Sequence, residues 1–355
     1  MLSLSDRLTH APARRGARRL ATAGAATLAA LSLLAGCAGA PAADTPAAET
    51  AAGETAGGDS SAAGQNGTIE FSYEGYEATL PADPERVVVL DSRAGLELAL
   101  LAEYPIVATA YGTDSPLSPL VDADTAHLKN SAFDLNREEI AAYKPDLIVV
   151  GTGWWDYYEG EDFKLGEIAP VLAVNDGIDV AGASIDEPFV AMTEQLAQLG
   201  RADQAEAAIA DYEAAVDSAR ERIGDYAAGK TATVIHAPVD NFTVISDDSI
   251  YQVVLPALGF RILENEQIDS APLHASGEGR TLSYENAVSA LGDADLAIVF
   301  KAERDASLDP LLKRVPAVES GNWIEGNLAE RFGFALTYTS FVNGVADAIE
   351  AFPNE

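Results

Sequence analysis

ADQAEAAIADYEAAVDSARERIGDY, residues 202–226, is the stretch on which the fold turns. Its apolar residues recur at helical spacing among Ala, Glu and Asp, so it predicts one uninterrupted helix over 202–226. About 25 residues rising 1.5 Å each give a rod about 37 Å long, the height of a small domain. Residues 187–199 just upstream have the same character, and Gly200 marks the break between the two segments. To either side the pattern changes to short apolar runs between amphipathic stretches. The helical segment 186–228 is therefore predicted to join two lobes, 68–185 and 229–355. A single stiff helix between lobes allows only small movements, where flexible two- or three-strand hinges would allow wide closure.

In the first half, residues 68–73 and 77–80 alternate like a hairpin, while 86–90, 106–109, 146–150 and 171–174 read as short buried strands. Helices are predicted between them at 94–103 and 136–143. The second half repeats this grammar, with strands near 231–236, 242–245 and 295–300 and helices near 249–258, 283–291 and 340–351. Such alternation implies parallel βαβ units with helices on the sheet faces. The expected fold class is α/β: two lobes with mainly parallel sheets joined by one long backbone helix. Some 290 residues are too many for one modest core and suit two.

The N-terminus sets the compartment. Arg14, Arg15, Arg18 and Arg19 run into an apolar stretch from Leu20 to Leu34 that ends in Leu34-Ala35-Gly36-Cys37. This is the pattern of a secretory leader, and its end resembles a bacterial lipobox. The apolar run is shorter than the roughly 20 residues that span a bilayer. Arg18-Arg19-Leu20 also bears a faint likeness to a twin-arginine export signal. Cys37 is the only cysteine, so no intramolecular disulfide can form and no thiol remains for catalysis in the mature domain. Its expected role is lipid attachment, which holds the protein on the extracytoplasmic face of the cell membrane without spanning it. Residues 38–67 consist almost wholly of Ala, Gly, Pro, Thr, Ser, Asp and Glu, a composition that cannot bury enough apolar area to order itself and reads as a flexible tether. The formal net charge of −34 makes nucleic acid and anionic lipid surfaces poor partners.

Several segments together carry a family likeness. Pro84-Glu85-Arg86-Val87-Val88-Val89-Leu90, then Asn136-Arg137-Glu138-Glu139-Ile140-Ala141-Ala142-Tyr143-Lys144-Pro145-Asp146-Leu147-Ile148, then Ile168-Ala169-Pro170-Val171 resemble the substrate-binding proteins of iron-siderophore ABC importers. The likeness continues through Gln195-Leu196-Ala197-Gln198-Leu199-Gly200-Arg201, Leu282-Ser283-Tyr284-Glu285 and Asp295-Leu296-Ala297-Ile298-Val299. It covers essentially everything after the tether. The resemblance implies a binding protein rather than an enzyme, with no cofactor, ABC permease subunits as partners and a ferric siderophore as ligand. By position in these motifs it also implies that Glu138 and Glu285 dock the permease. The architecture is shared with haem and cobalamin binders, so the ligand has to be read from the cleft.

In open α/β sheets the ligand lies beyond the carboxyl ends of the strands. Arg93 follows the strand at 86–90 and offers a planar donor to chelating oxygens. Trp154, Trp155, Tyr157 and Tyr158 follow the strand at 146–150, after Gly151 and Gly153. Four large aromatics in five positions cannot all face inward, and rigid amphipathic rings give contact area at little entropic cost. His236, Arg280 and Lys301 follow or flank strands of the second half, and Tyr338 is expected in the loop before the terminal helix. Catecholate-binding relatives surround their ligand with several arginines, most of which are missing from the corresponding loops here, at Trp154-Trp155 and Ser249-Ile250. That departure favours a hydroxamate or mixed chelate. A haem reading would draw its axial ligand from His236, Tyr157 or Tyr338. Direct metal binding is disfavoured because His127, His236 and His274 are scattered. An extracytoplasmic hydrolase is the alternative of a different class, and no Gly-x-Ser-x-Gly elbow supports it.

Overall fold

The computed structural model describes residues 67–90, 93–110, 115–128, 136–152, 163–176, 187–246, 249–301, 307–327, 330–331 and 333–352. Cys37, residues 38–66 of the tether, Trp154, Trp155, Tyr157 and Tyr158 lie outside the described residues. The chain begins with an antiparallel hairpin, β1 (Thr68–Tyr73) and β2 (Tyr76–Pro81), that turns Phe71, Tyr73 and Leu80 into the core. A five-stranded sheet follows, built from β3 (Val87–Val89), β4 (Ile106–Thr109), β5 (Ala126–His127), β6 (Leu147–Gly151) and β7 (Val171–Val174) in the order β5-β4-β3-β6-β7. Every pairing in it is parallel. Its central strands are apolar at successive positions and buried throughout, as a sheet covered on both faces requires. Helices α1 (Ala94–Leu101) and α2 (Arg137–Ala142) belong to this half.

Two helices lead out of it, α3 (Val190–Gln198) and α4 (Ala202–Ile223). The buried residues of α4 are Ala205, Ala208, Tyr212, Val216, Ala219 and Ile223, a single apolar stripe at three- and four-residue intervals. The rod is 22 residues long, slightly shorter than expected, because Gly224 takes a positive φ of 54° and converts the last turn to a 3-10 helix over Gly224–Ala227. The second sheet holds β8 (Thr231–Ala237), β9 (Asn241–Ile245), β10 (Arg261–Ile262), β11 (Gly279–Ser283), β12 (Leu296–Lys301) and β13 (Trp323–Glu325). Its main path is β11-β9-β8-β12-β13, with β10 paired on β8. The strands β8, β10, β12 and β13 are mutually parallel where they pair, whereas β9 is antiparallel to both β8 and β11. The second sheet is thus mixed. Its helices are α5 (Ile250–Ala257), α6 (Glu266–Asp269), α7 (Ala287–Leu291), α8 (Pro316–Glu319) and the terminal α9 (Ala335–Glu350).

The fold is accordingly α/β, with two lobes, each on its own sheet, and one long helix between them. The terminal helix α9 packs along α4, and Arg222 near the end of α4 pairs with Asp347 and Glu350 of α9. The largest apolar cluster runs without a break from the hairpin and first sheet through α4 and α9 to α5 and the inner face of the second sheet. Separate clusters fill the outer faces of the second and first sheets.

Candidate functional site

The carboxyl ends of the parallel strands are where both lobes can present side chains to a common cleft. On the first sheet this edge carries Arg93, which is half-buried immediately before α1, with its carbonyl accepting from the Glu97 amide. Strand β6 also ends at this edge, and Trp154, Trp155, Tyr157 and Tyr158 follow it in sequence, outside the described residues. On the second sheet His236 lies near the end of β8, opposite Phe300 of β12 on one side and Thr243 of β9 on the other. Thr243 and Thr281 of β11 meet hydroxyl to hydroxyl at 3.2 Å.

Glu278, just before β11, reaches His236 with its side chain and joins it to two further residues. Its side chain is only 6% exposed, and its Oε1 lies 3.3 Å from His236 Nδ1 and 3.4 Å from His274 Nδ1. Arg331 Nη1 donates to the other oxygen at 2.6 Å. Burial pushes the Glu278 carboxyl up. The hydrogen bond from His236 and the charge and hydrogen bond of Arg331 pull harder the other way and hold it at about 2. The turn that delivers it is built by His274 and Ser276, whose side chains lie 2.7 Å apart while the Glu278 amide donates to Ser276 Oγ. Gly279 is needed next to it, because a Cβ there would collide with the Val244 carbonyl across the β9–β11 ladder. Arg331 pairs with one oxygen of Glu278, and the two histidine rings lie against the other. No group of three or more potential metal ligands occurs among the described residues.

Lys301, the last residue of β12, also sits at this edge, and its Nζ lies 2.9 Å from Glu325 Oε1 at the end of β13. His236 and Lys301 lie at the same ends of the neighbouring strands β8 and β12. Arg280 lies within β11 rather than in a loop before a helix, on the other strand face from Thr281, and its Nη1 donates to the Ala271 carbonyl at 3.1 Å. Tyr338 departs furthest from expectation. It is inside α9, which starts five residues earlier than predicted, and only 6% of it is exposed. Its ring meets Phe189 and Tyr212 edge-on at 5.0 and 5.7 Å, so it is a core residue that ties α9 to α4. Glu138 and Glu285 are exposed, one in the first turn of α2 and the other in the 3-10 turn leading into α7.

Sequence reasoning missed Glu278, Arg331 and Glu97. Glu278 had a signal, an acidic residue between two glycines ahead of a strand. Glu97 had a stronger one, the only charge in the apolar helix AGLELALL. Arg331 had none, because its partner is 53 residues away.

Comparison with known proteins places this geometry. A lipoprotein of Bacillus subtilis named as a probable siderophore-binding lipoprotein, YfiY, is 27% identical over 194 residues, which cover 54% of this chain and 56% of that protein. This chain thus spans little more than half the length of that relative. The ferric enterobactin-binding periplasmic protein FepB of Escherichia coli O6:H1 is 26% identical over 266 residues, 68% of this chain and 78% of FepB. Among solved structures, the petrobactin-binding protein YclQ of Bacillus subtilis superposes with a TM-score of 0.59 at 19% identity, covering 79% of this chain and 98% of YclQ, a likeness of fold. The model of the periplasmic binding protein family matches residues 87–326, from the first strand of the parallel sheet to the turn after β13. Two lobes, a helical backbone and a polar edge at the strand ends are the parts that match spans, and the chain belongs to the periplasmic binding protein family.

Proposed function

We propose that this chain is the extracytoplasmic substrate-binding component of an ABC importer, capturing a ferric siderophore between its lobes and delivering it to the permease. Family membership supports binding rather than catalysis, and the names of the relatives support a siderophore as the ligand. Those names include enterobactin and petrobactin binders, so the chelate class rests on the cleft itself. The observation that carries it is charge compensation: at the edge of the second sheet Arg331 is spent on Glu278 and Lys301 on Glu325. A wall on which these two cations are compensated suits a hydroxamate or mixed chelate better than a triply anionic catecholate, with Arg93 and the aromatic-rich segment from Trp154 to Tyr158 as the first lobe's candidate contacts. Cys37 carries the lipid anchor, and Glu138 and Glu285 meet the permease.

Leaderless protein, titrated with ferric desferrioxamine B, ferric enterobactin, ferric citrate and haemin while its fluorescence is followed, tests this reading. The hydroxamate complex is expected to quench most strongly. Calorimetry on the Trp154→Ala, Trp155→Ala double variant should then show a loss of affinity of roughly tenfold or more, given about 0.5–1.5 kcal/mol for each aromatic contact. Tight binding of haemin with no response to any ferric chelate would overturn the assignment.

A further inference from the structure

Glu97 is fully buried, which pushes its carboxyl up, and both of its oxygens are taken by donors that offset part of the burial. Oε2 accepts from the Phe334 amide at 2.7 Å and from the Thr337 hydroxyl at 2.6 Å. Oε1 accepts from the amides of Leu336 at 2.6 Å and Thr337 at 3.3 Å. These amides are the opening donors of α9, a helix whose own N-cap residue supplies no side-chain bond. The carboxylate therefore caps the terminal helix from another part of the fold, 237 residues away in sequence. Helix α1, which carries it, packs on the first sheet, whereas α9 is reached from the second. Gly333 completes the fit, since a Cβ there would stand 2.7 Å from Glu97 Oε2 and collide with the Thr337 side chain. Two residues ahead of that glycine is Arg331, the partner of Glu278 at the cleft edge.

We propose that Glu97 is a positioning residue for the ligand wall: by clamping the start of α9 to the first lobe it holds the segment that bears Arg331 against Glu278, and so sets the cleft. Neither Glu97 nor its donors need touch ligand for this to work. The proposal concerns this chain's internal geometry and draws on the siderophore reading only where affinity is measured.

The test uses Glu97→Gln, which keeps the shape but turns two amide hydrogens toward donors, and Thr337→Val, which removes a single donor and preserves fold if the first variant does not. Val345→Ala, a buried α9 position away from the clamp, is the control for lost stability alone. Leaderless protein has three histidines, so the ring NMR signals of His236 and His274 report directly on whether Arg331 stays against Glu278, with exposed His127 as reference. Glu97→Gln is expected to move both signals in the direction that Arg331→Gln moves them, with Thr337→Val doing so less, and Val345→Ala leaving them in place. Affinity for ferric desferrioxamine B should fall about tenfold in Glu97→Gln beyond any change in the control. Histidine signals that stay put in both clamp variants, or that move equally in Val345→Ala, would overturn the proposal. If wild-type protein binds no ferric chelate, the siderophore reading fails while the histidine signals still decide this one.

Discussion

Glu278 shows how one residue can be held charged in a place that disfavours charge. Burial raises its pKa, and the histidine and arginine beside it lower it further than burial lifts it, to about 2. A carboxylate whose folded value lies below its unfolded value contributes stability that is complete above the unfolded pKa, about 4.3, and is lost as pH falls toward the folded one. The contribution is on the order of 2 kcal/mol once solvent screening is allowed for. Chemical unfolding followed from pH 5 to pH 2 should therefore show a loss of stability that Glu278→Gln removes. Arg331→Met should be the more damaging change, by about 3 kcal/mol, because it strands a buried anion, and combining it with Glu278→Gln should recover part of the loss. Tyr338 makes the opposite case. With its ring packed between Phe189 and Tyr212, Tyr338→Ala is expected to cost about 3–5 kcal/mol, while Tyr338→Phe leaves affinity for ferric chelate unchanged. A large loss of affinity in Tyr338→Phe at unchanged stability would return this residue to the cleft.

At the scale of elements, what decides legibility is whether an element carries its own stop and start signals. Helix α2 does: Asn136 Oδ1 accepts from the amides of Glu138 at 2.9 Å and Glu139 at 3.3 Å, and the helix begins where the sequence placed it. Asn136→Ala should lower stability by about 1 kcal/mol, seen as a melting point about 2 °C lower. The parallel strands β3, β6 and β7 were equally readable, because continuous apolar runs rich in Val mark a sheet buried on both faces. Helix α9 was placed five residues late, since its capping group is Glu97 and nothing in the residues before it announces a start. Strand β11, Gly-Arg-Thr-Leu-Ser, was read as a loop and helix start: it exists through its ladder to β9, not through propensity. The remaining unforeseen strands, β5, β10 and β13, have two or three residues each, too few for any period to show. The candidate site follows the same rule. Residues at strand ends could be found from the strands, whereas the Glu278 network joins positions 236, 274, 278 and 331, a proximity that only the folded sheet creates.

For the whole molecule the question, on the proposed function, is what a permease would recognise on a binding protein of this fold. The long helix α4, the packing of α9 along it and the hydrogen bonds of Glu97 to the start of α9 join the lobes, an arrangement that favours small lobe movements over wide closure. A fixed spacing of charges on the two lobes is the remaining cue. Glu138 and Glu285 fit it: both are exposed at the start of helical turns, one in each lobe, and Glu285 is held ionised by its own amide and Ser283. A carboxylate there also favours the local helix N-terminus, typically by 0.3–1 kcal/mol, so replacing it carries a small structural cost in either case. Rim charges of this kind govern association rate and register more than stability or ligand contact. Glu138→Ala combined with Glu285→Ala should accordingly abolish uptake of the ferric chelate by cells, with chelate affinity and melting temperature close to wild type. Each single variant should retain partial uptake, and raising ionic strength should slow association of the wild-type protein with permease in vesicles while leaving the double variant unaffected. Full uptake by the double variant, or a loss of uptake matched by a loss of chelate affinity, would place the permease contact elsewhere on the two lobes.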